Sequence, residues 1–263
     1  MMKIPIYQAD AFTDKLFGGN PAAVCVLEDW LTDEVLQQIA LENNLSETAY
    51  LVKDNDHYHI RWFTPGTEVD LCGHATLASA HILFSCLGHR SNQVSFHSKS
   101  GLLTVSKLDS GKLMLDFPAN VPEEMKDIPV GLFEGLGLAP VPAFKTSFDY
   151  MVVVPSENMV KGLVPDFKTL AKVPCRGVIV TAKGDSADFV SRCFYPQSGI
   201  DEDPVTGSAH TIMVPYWAKQ LGKTNMKAIQ LSKRRGYLDC ELAGNRVLMS
   251  GQAVTYMKGE IEI

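Results

Sequence analysis

The chain has 263 residues, 46% of them apolar and 21% charged, with a formal net charge of −6. That balance describes a soluble globular protein of one large domain or two ordinary ones, with a core that needs no disulfide or metal staple. Net acidity gives no general attraction to a phosphate backbone. The densest basic run, Lys233-Arg234-Arg235 with Lys219, Lys223 and Lys227 upstream, reads as a charged turn ahead of Gly236, so no nucleic-acid partner is expected. The six cysteines form no Cys-x-x-Cys pair, and the histidines complete no zinc-like spacing. Most of the cysteines sit in apolar runs such as AAVCVL, where a thiol behaves as a small hydrophobe. Met1-Met2-Lys3-Ile4 leads straight into a strand-like segment without an apolar leader, and the apolar runs are too short to span a bilayer. The reading is a cytoplasmic protein with no membrane partner.

In chain order, the first half offers short strands at IPIYQA, AAVCVL, TAYLV and HIRWF, each bounded by Gly, Pro, Asn or Asp. LTDEVLQQIALEN, residues 31–43, reads instead as a helix, with Thr32 as a cap and Leu31, Val35, Ile39 and Ala40 as its apolar side. The second half repeats the order with YMVVV, a helix around PDFKTLAKV, GVIVTA and DFVSRCF. Arg61-Trp62-Phe63-Thr64-Pro65 and Arg192-Cys193-Phe194-Tyr195-Pro196 share Arg-x-Phe-x-Pro. Each is followed by a glycine opening a helix-like segment, Gly73 or Gly207, that ends at Leu-Gly, Leu87-Gly88 or Leu221-Gly222. Strand pairs then follow in both halves, and four landmarks in one order point to duplication. HATLASAHILFSCL has almost no charged face and should be surrounded by protein. SAHTIMVPYWAKQL is nearly as apolar, with Pro215 expected to bend it or free a carbonyl. Many short strands and few surface helices favour an α+β fold, a curved sheet wrapped round a central helix in each half.

A helix start presents backbone N–H groups that suit a substrate carboxylate. Gly73 and Gly207 with their small neighbours let backbone approach a ligand, and Gly18-Gly19-Asn20-Pro21 is a third small-residue turn. Neither Gly-x-Gly-x-x-Gly nor a phosphate-binding Gly-x-x-x-x-Gly-Lys-Ser/Thr is present, so nucleotide cofactors have no support. Glu47 opens an apolar strand; partly desolvated there it would suit a general base, or it merely satisfies a turn. His74 donates to a substrate oxygen or bonds backbone in the core. Asp203 positions an amine, shares a proton or starts a helix; Ser208 holds a substrate oxygen or pairs locally. His81 and Thr206 read as structural.

GGNPAAV at 18–24, NNLSETAY at 43–50, RWFTPGTEVDLCGHAT at 61–76 and DEDPVTGSAH at 201–210 carry a resemblance across essentially the whole chain. The sequence resembles the phenazine-biosynthesis isomerase-like (PhzF-like) family, related in fold to diaminopimelate epimerase. The resemblance implies two pseudo-symmetric domains, each a barrel-like, mostly antiparallel sheet wrapped around a central helix, with the active site in the cleft between them. By position these would be residues 1–118 with a central helix near 74–87, rejoined by a last strand near 252–263, and residues 119–251 with a central helix near 208–221. Homodimers are usual in the family. It implies Glu47 as the general acid/base, with His74, Asp203 and Ser208 orienting substrate and assisting proton movement. Asn20 and the backbone at Gly73 and Gly207 would bind a small, carboxylated, amino- or hydroxy-bearing substrate. No metal and no organic cofactor is implied. Epimerase relatives use a thiol at each central helix start. Here Cys72 keeps the first position while Asp203-Pro204-Val205-Thr206-Gly207-Ser208 has none, which favours proton-transfer isomerisation. Two alternatives are an epimerase or racemase using Glu47 with Cys72 or His74, and a non-catalytic metabolite-binding protein.

Overall fold

A computed structural model describes residues 2–263; Met1, part of the N-terminal reading, lies outside the described residues. The chain divides into two compact units, the first running to Asp116 and completed by Met249–Ile263, the second Phe117–Leu248. Among the described residues no helix is long and apolar enough to cross a membrane.

The first unit contains β1 (Lys3–Ala11), β2 (Asn20–Leu27), α1 (Asp33–Asn43), β3 (Glu47–Asp54), β4 (His57–Phe63), β5 (Glu68–Val69) and α2 (Gly73–Ser85). These are followed by β6 (Gln93–Ser98), β7 (Gly101–Lys107) and β8 (Leu113–Pro118). Strand β2 runs parallel to β3 across α1, β3 and β4 form a hairpin, and β4 runs parallel to β6 across α2. A parallel pair needs such a crossover, and the helix supplies it. Helix α1 buries Leu36, Ile39 and Ala40 on Ile4, Ile6, Ala23, Cys25, Tyr50 and Phe63, with Leu31 and Val35 half-buried beside them. It begins at Asp33, and Thr32 makes no side-chain cap; the acidic Asp33 and Glu34 complement the first turn instead.

Helix α2 is buried from His74 through Ala80 and again at Ile82 and Leu83. Two of its buried hydroxyls bond back to the chain one turn earlier: Thr76 Oγ1 donates to Cys72 O at 2.5 Å and Ser79 Oγ to Ala75 O at 2.8 Å. Strands β1, β2, β3 and β7 pack round it.

The second unit contains β9 (Glu123–Glu124), α3 (Leu132–Leu136), β10 (Ala143–Lys145), β11 (Asp149–Val153), α4 (Glu157–Lys161), α5 (Phe167–Leu170) and β12 (Gly177–Lys183). After them come β13 (Phe189–Tyr195), β14 (Ile200–Asp203), α6 (Gly207–Leu221), β15 (Asn225–Gln230), β16 (Gly236–Ala243) and β17 (Arg246–Gly251). The pairing repeats: β11 is parallel to β12, β12 antiparallel to β13, β13 parallel to β15, and β15 antiparallel to β16. The helix expected over PDFKTLAKV contracts to the single turn of α5, capped by Asp166. It dissolves into i→i+3 turns ahead of Pro174, whose ring disfavours a helical residue before it. The core joins Leu132, Leu136, Val152, Val178, Val190 and Phe194 among others. Strand β18 (Ala253–Glu262) returns to the first unit and lies antiparallel on β1, from Lys3↔Glu262 to Ala11↔Ala253. His81 of α2 bonds Thr255 of β18 at 2.9 Å.

The repeated Arg-x-Phe-x-Pro has one physical role in both units. Arg61 pairs with Glu68 at 2.7 and 2.8 Å and lies over Phe63; Arg192 pairs with Glu202 at 2.7 and 2.9 Å and lies over Phe194. Each guanidinium thus covers an aromatic ring and closes a bidentate pair that fixes the strand end ahead of the central helix. Helix α6 runs through Pro215. Proline cannot bond the carbonyl of Thr211, and that carbonyl accepts from Asn120 N at 3.0 Å instead.

Candidate active site

In the first unit, three sequence-distant segments converge at the start of α2. Asn20 opens β2, Glu47 opens β3 and is paired in register with Ala22, and Cys72 precedes Gly73 and His74. The turn ahead of Asn20 depends on Gly19, whose φ of +58° is left-handed and whose Cβ would lie 2.0 Å from Ala11 O. Buried Asp10 fixes the same turn by accepting from Phe17 N at 2.8 Å.

His74 is the hub. Its Nε2 lies 3.2 Å from Glu47 Oε2, within ion-pair range though off the line of an ideal hydrogen bond. Its Nδ1 lies 3.1 Å from the Asn20 amide and 3.5 Å from Cys72 Sγ. The His74 and Glu47 side chains are only 5% and 13% exposed, so their charges interact with little solvent screening. Burial opposes the imidazolium, but neighbouring Cys72 and Glu47 outweigh it and lift His74 well above its ordinary value. Burial, aided by the Glu47 charge, pushes the Cys72 thiol up to about 11. With its pKa that far above neutrality, the Cys72 thiol is protonated at pH 7. The Asn20 amide serves either state: its NH₂ donates to a neutral ring, and after a flip its oxygen accepts from Nδ1–H.

Glu47, Cys72 and His74 could each offer a metal a donor atom, all within 4.8 Å of one another. Glu47 faces Nε2, however, while Cys72 faces Nδ1. The carboxylate and the thiol thus lie against opposite ring nitrogens, an arrangement in which the imidazole can share a proton on either side.

In the second unit, Asp203 ends β14 and Gly207 begins α6. Asp203 is buried, and its Oδ2 accepts from Thr206 Oγ1 at 2.5 Å. Fully buried Gln230 clamps this turn: Oε1 accepts from Thr206 N at 2.8 Å, while Nε2 donates to Asp203 O at 2.8 Å and to Thr206 Oγ1 at 3.2 Å. Gly236 closes the floor, since a Cβ there would lie 2.2 Å from Val205 Cγ2. Ser208 Oγ accepts from Arg176 Nη2 at 3.0 Å, and Arg176 is held by a bidentate pair with buried Asp149. One turn along, His210 bonds Thr206 O at 2.8 Å and burial lowers it to about 4, leaving it neutral.

The structure therefore gathers Asn20, Glu47, Gly73 and His74 in one unit, and Asp203, Gly207 and Ser208 in the other. Sequence reasoning missed Asp10, Arg176, Asp149 and Gln230. Only the register of long-range strands brings these ordinary polar residues to the helix starts.

A central helix wrapped by a mixed, largely antiparallel sheet, built twice, defines an α+β scaffold of the diaminopimelate epimerase-like class. A solved proline racemase-type structure from Agrobacterium radiobacter shares that fold, with a TM-score of 0.66 at 10% identity, covering 99% of this chain and 93% of its own. A family profile described as phenazine biosynthesis-like protein, PhzC-PhzF, matches residues 9–259. An uncharacterised isomerase of Pseudomonas aeruginosa is 52% identical over the full length of both chains. The crystal structure of a PhzF-family protein from Enterococcus faecalis matches with a TM-score of 0.95 and 47% identity, covering 100% of each chain. This chain belongs to the phenazine biosynthesis-like (PhzC/PhzF) family, and it is an enzyme of the isomerase class.

Proposed function

We propose that the chain catalyses cofactor-independent proton transfer between carbons of a small carboxylated metabolite bearing an amino or hydroxy group, with Glu47 as general acid/base. The observation that carries this reading is the buried Glu47–His74 pair, 3.2 Å apart at the start of the central helix. Glu47 takes a proton from a carbon beside the substrate's unsaturated system and returns it at another carbon. The bond electrons shift through that system, so no net proton is gained or lost. His74 holds the carboxylate in place and shares the travelling proton, while Asn20 sets the ring orientation from its other edge. Backbone N–H at Gly73, the helix start beside Glu47, suits the substrate carboxylate. In the other unit Gly207, Asp203 and Ser208 offer a matching helix start with polar side chains.

An epimerase reading draws on the same site, with Glu47 acting together with Cys72 or with His74 as the second base. The buried, neutral thiol counts against Cys72 in that role. The test is solvent deuterium exchange into a carboxylated substrate, with product chirality assayed alongside. Glu47→Gln should retain fold and ligand affinity while losing exchange by about 10²–10⁴-fold, the usual contribution of a positioned base. Undiminished exchange in that variant refutes the base assignment. Inversion at a single carbon without movement of unsaturation selects the epimerase.

A further inference from the structure

Away from the helix starts, the outer face of the first unit collects three histidines and a carboxylate on adjacent strands. His57 and His59 alternate with buried Tyr58 and Ile60 along β4, so both imidazoles project from the outer face. The β3–β4 hairpin sets Asp54 opposite His57, and the parallel β4–β6 register sets His97 opposite His59. Asp54 Oδ2 lies 3.4 Å from His59 Nε2 and 3.7 Å from His57 Nε2. The His97 ring lies 4.8 Å from that of His57 and 5.5 Å from that of His59, centre to centre.

We propose that Asp54, His57, His59 and His97 form a surface site for a divalent transition-metal ion of the zinc class. The donor chemistry selects that class, since imidazole with a carboxylate suits Zn²⁺ and its neighbours, not Ca²⁺ or Mg²⁺. Distance supports it too. Donors ~2.0–2.1 Å from a tetrahedral ion lie ~3.3–3.4 Å apart; Asp54 Oδ2 already stands 3.4 and 3.7 Å from two imidazole nitrogens, and the rings must turn to bring the remaining donors to that spacing. The side chains of Asp54, His57 and His59 are 38–45% exposed and His97 is exposed, so the rings are free to turn toward one ion. Two histidines one residue apart on a strand, with a third on the neighbouring strand, place three imidazoles on one face. A bound ion would tie β3, β4 and β6 together. No zinc-like spacing is visible in the sequence because His97 joins the others through strand register alone.

The untagged chain, stripped with chelator, is titrated with Zn²⁺ by calorimetry and followed by thermal unfolding. One ion per chain with a micromolar dissociation constant and a raised Tm is expected. The His57→Ala/His97→Ala variant should weaken binding by at least ~tenfold. Cys72→Ser should bind as tightly as the parent, separating this site from Glu47, Cys72 and His74. Co²⁺ should give tetrahedral visible absorption without a thiolate charge-transfer band, and His59→Gln should diminish it. Failure to saturate below millimolar Zn²⁺, indifference to the histidine substitutions, or loss of binding in Cys72→Ser overturns the proposal.

Discussion

At Gly73 the first turn of α2 is ringed by Glu47, Cys72 and His74; at Gly207 the first turn of α6 is ringed by Asp203, Thr206 and Gln230. The backbone plan is the same, as are the strand order and the arginine-over-phenylalanine lock ahead of each helix. What differs is what the polar groups can do. The first set contains groups that exchange protons with one another: a carboxylate against an imidazole lifted above its ordinary value. In the second set a neutral amide satisfies backbone and hydroxyl alike, and the nearby histidine is held uncharged. The two helix starts share one backbone plan, and their side chains differ: one carries a carboxylate–imidazole pair, the other an amide clamp.

That contrast can be broken from either side. The largest effect on stability is expected at the amide clamp. Gln230→Leu would remove the acceptor of Thr206 N–H and the amide donor to Asp203 C=O, at about 1–3 kcal/mol for each hydrogen bond lost in the buried turn. Urea unfolding should show a loss of roughly 2–6 kcal/mol on that basis, and a loss below 0.5 kcal/mol would mean the clamp is dispensable. A smaller effect is expected at the Glu47–His74 pair and should depend on pH. With His74 raised above its ordinary value by Cys72 and Glu47 against the opposing effect of burial, the folded chain binds that proton more tightly than the unfolded chain. Its contribution is fully present below about pH 6.5 and is lost as pH rises through the higher folded value. Glu47→Gln should flatten the stability profile above pH 6.5, whereas Gln230→Leu should lower it without changing its slope. An unchanged slope in Glu47→Gln would assign the pH dependence elsewhere. The smallest effect is expected at Pro215, where the carbonyl its ring frees is already bonded by Asn120. Pro215→Ala should change Tm by no more than a few degrees, equivalent to about 1 kcal/mol or less.

Much of the architecture was legible because its causes are local. The glycines at 73 and 207, the uncharged helices behind them and the two Arg-x-Phe-x-Pro copies all announce themselves within a few residues. Local signals also misled. Thr32 has the right residue type for a cap and makes no capping bond, while PDFKTLAKV has helical composition yet forms one turn before Pro174. The supports of the site were not legible at all. Gln230 reaches Thr206 from β15, and Arg176 reaches Ser208 with Asp149 behind it, through contacts spanning 24 to 32 residues.

By itself the sequence determined that the chain is written twice, that each half buries an apolar helix behind a glycine, and that a thiol stands at only one of the two starts. Those features follow from residue type and short spacing, which the chain carries wherever it folds. Tertiary structure decided that Glu47 meets His74, that Gln230 holds Asp203, and that His97 joins His57 and His59. Each is a meeting of side chains from separate strands. Its distance depends on register, where a slip of one residue turns a side chain to the opposite face.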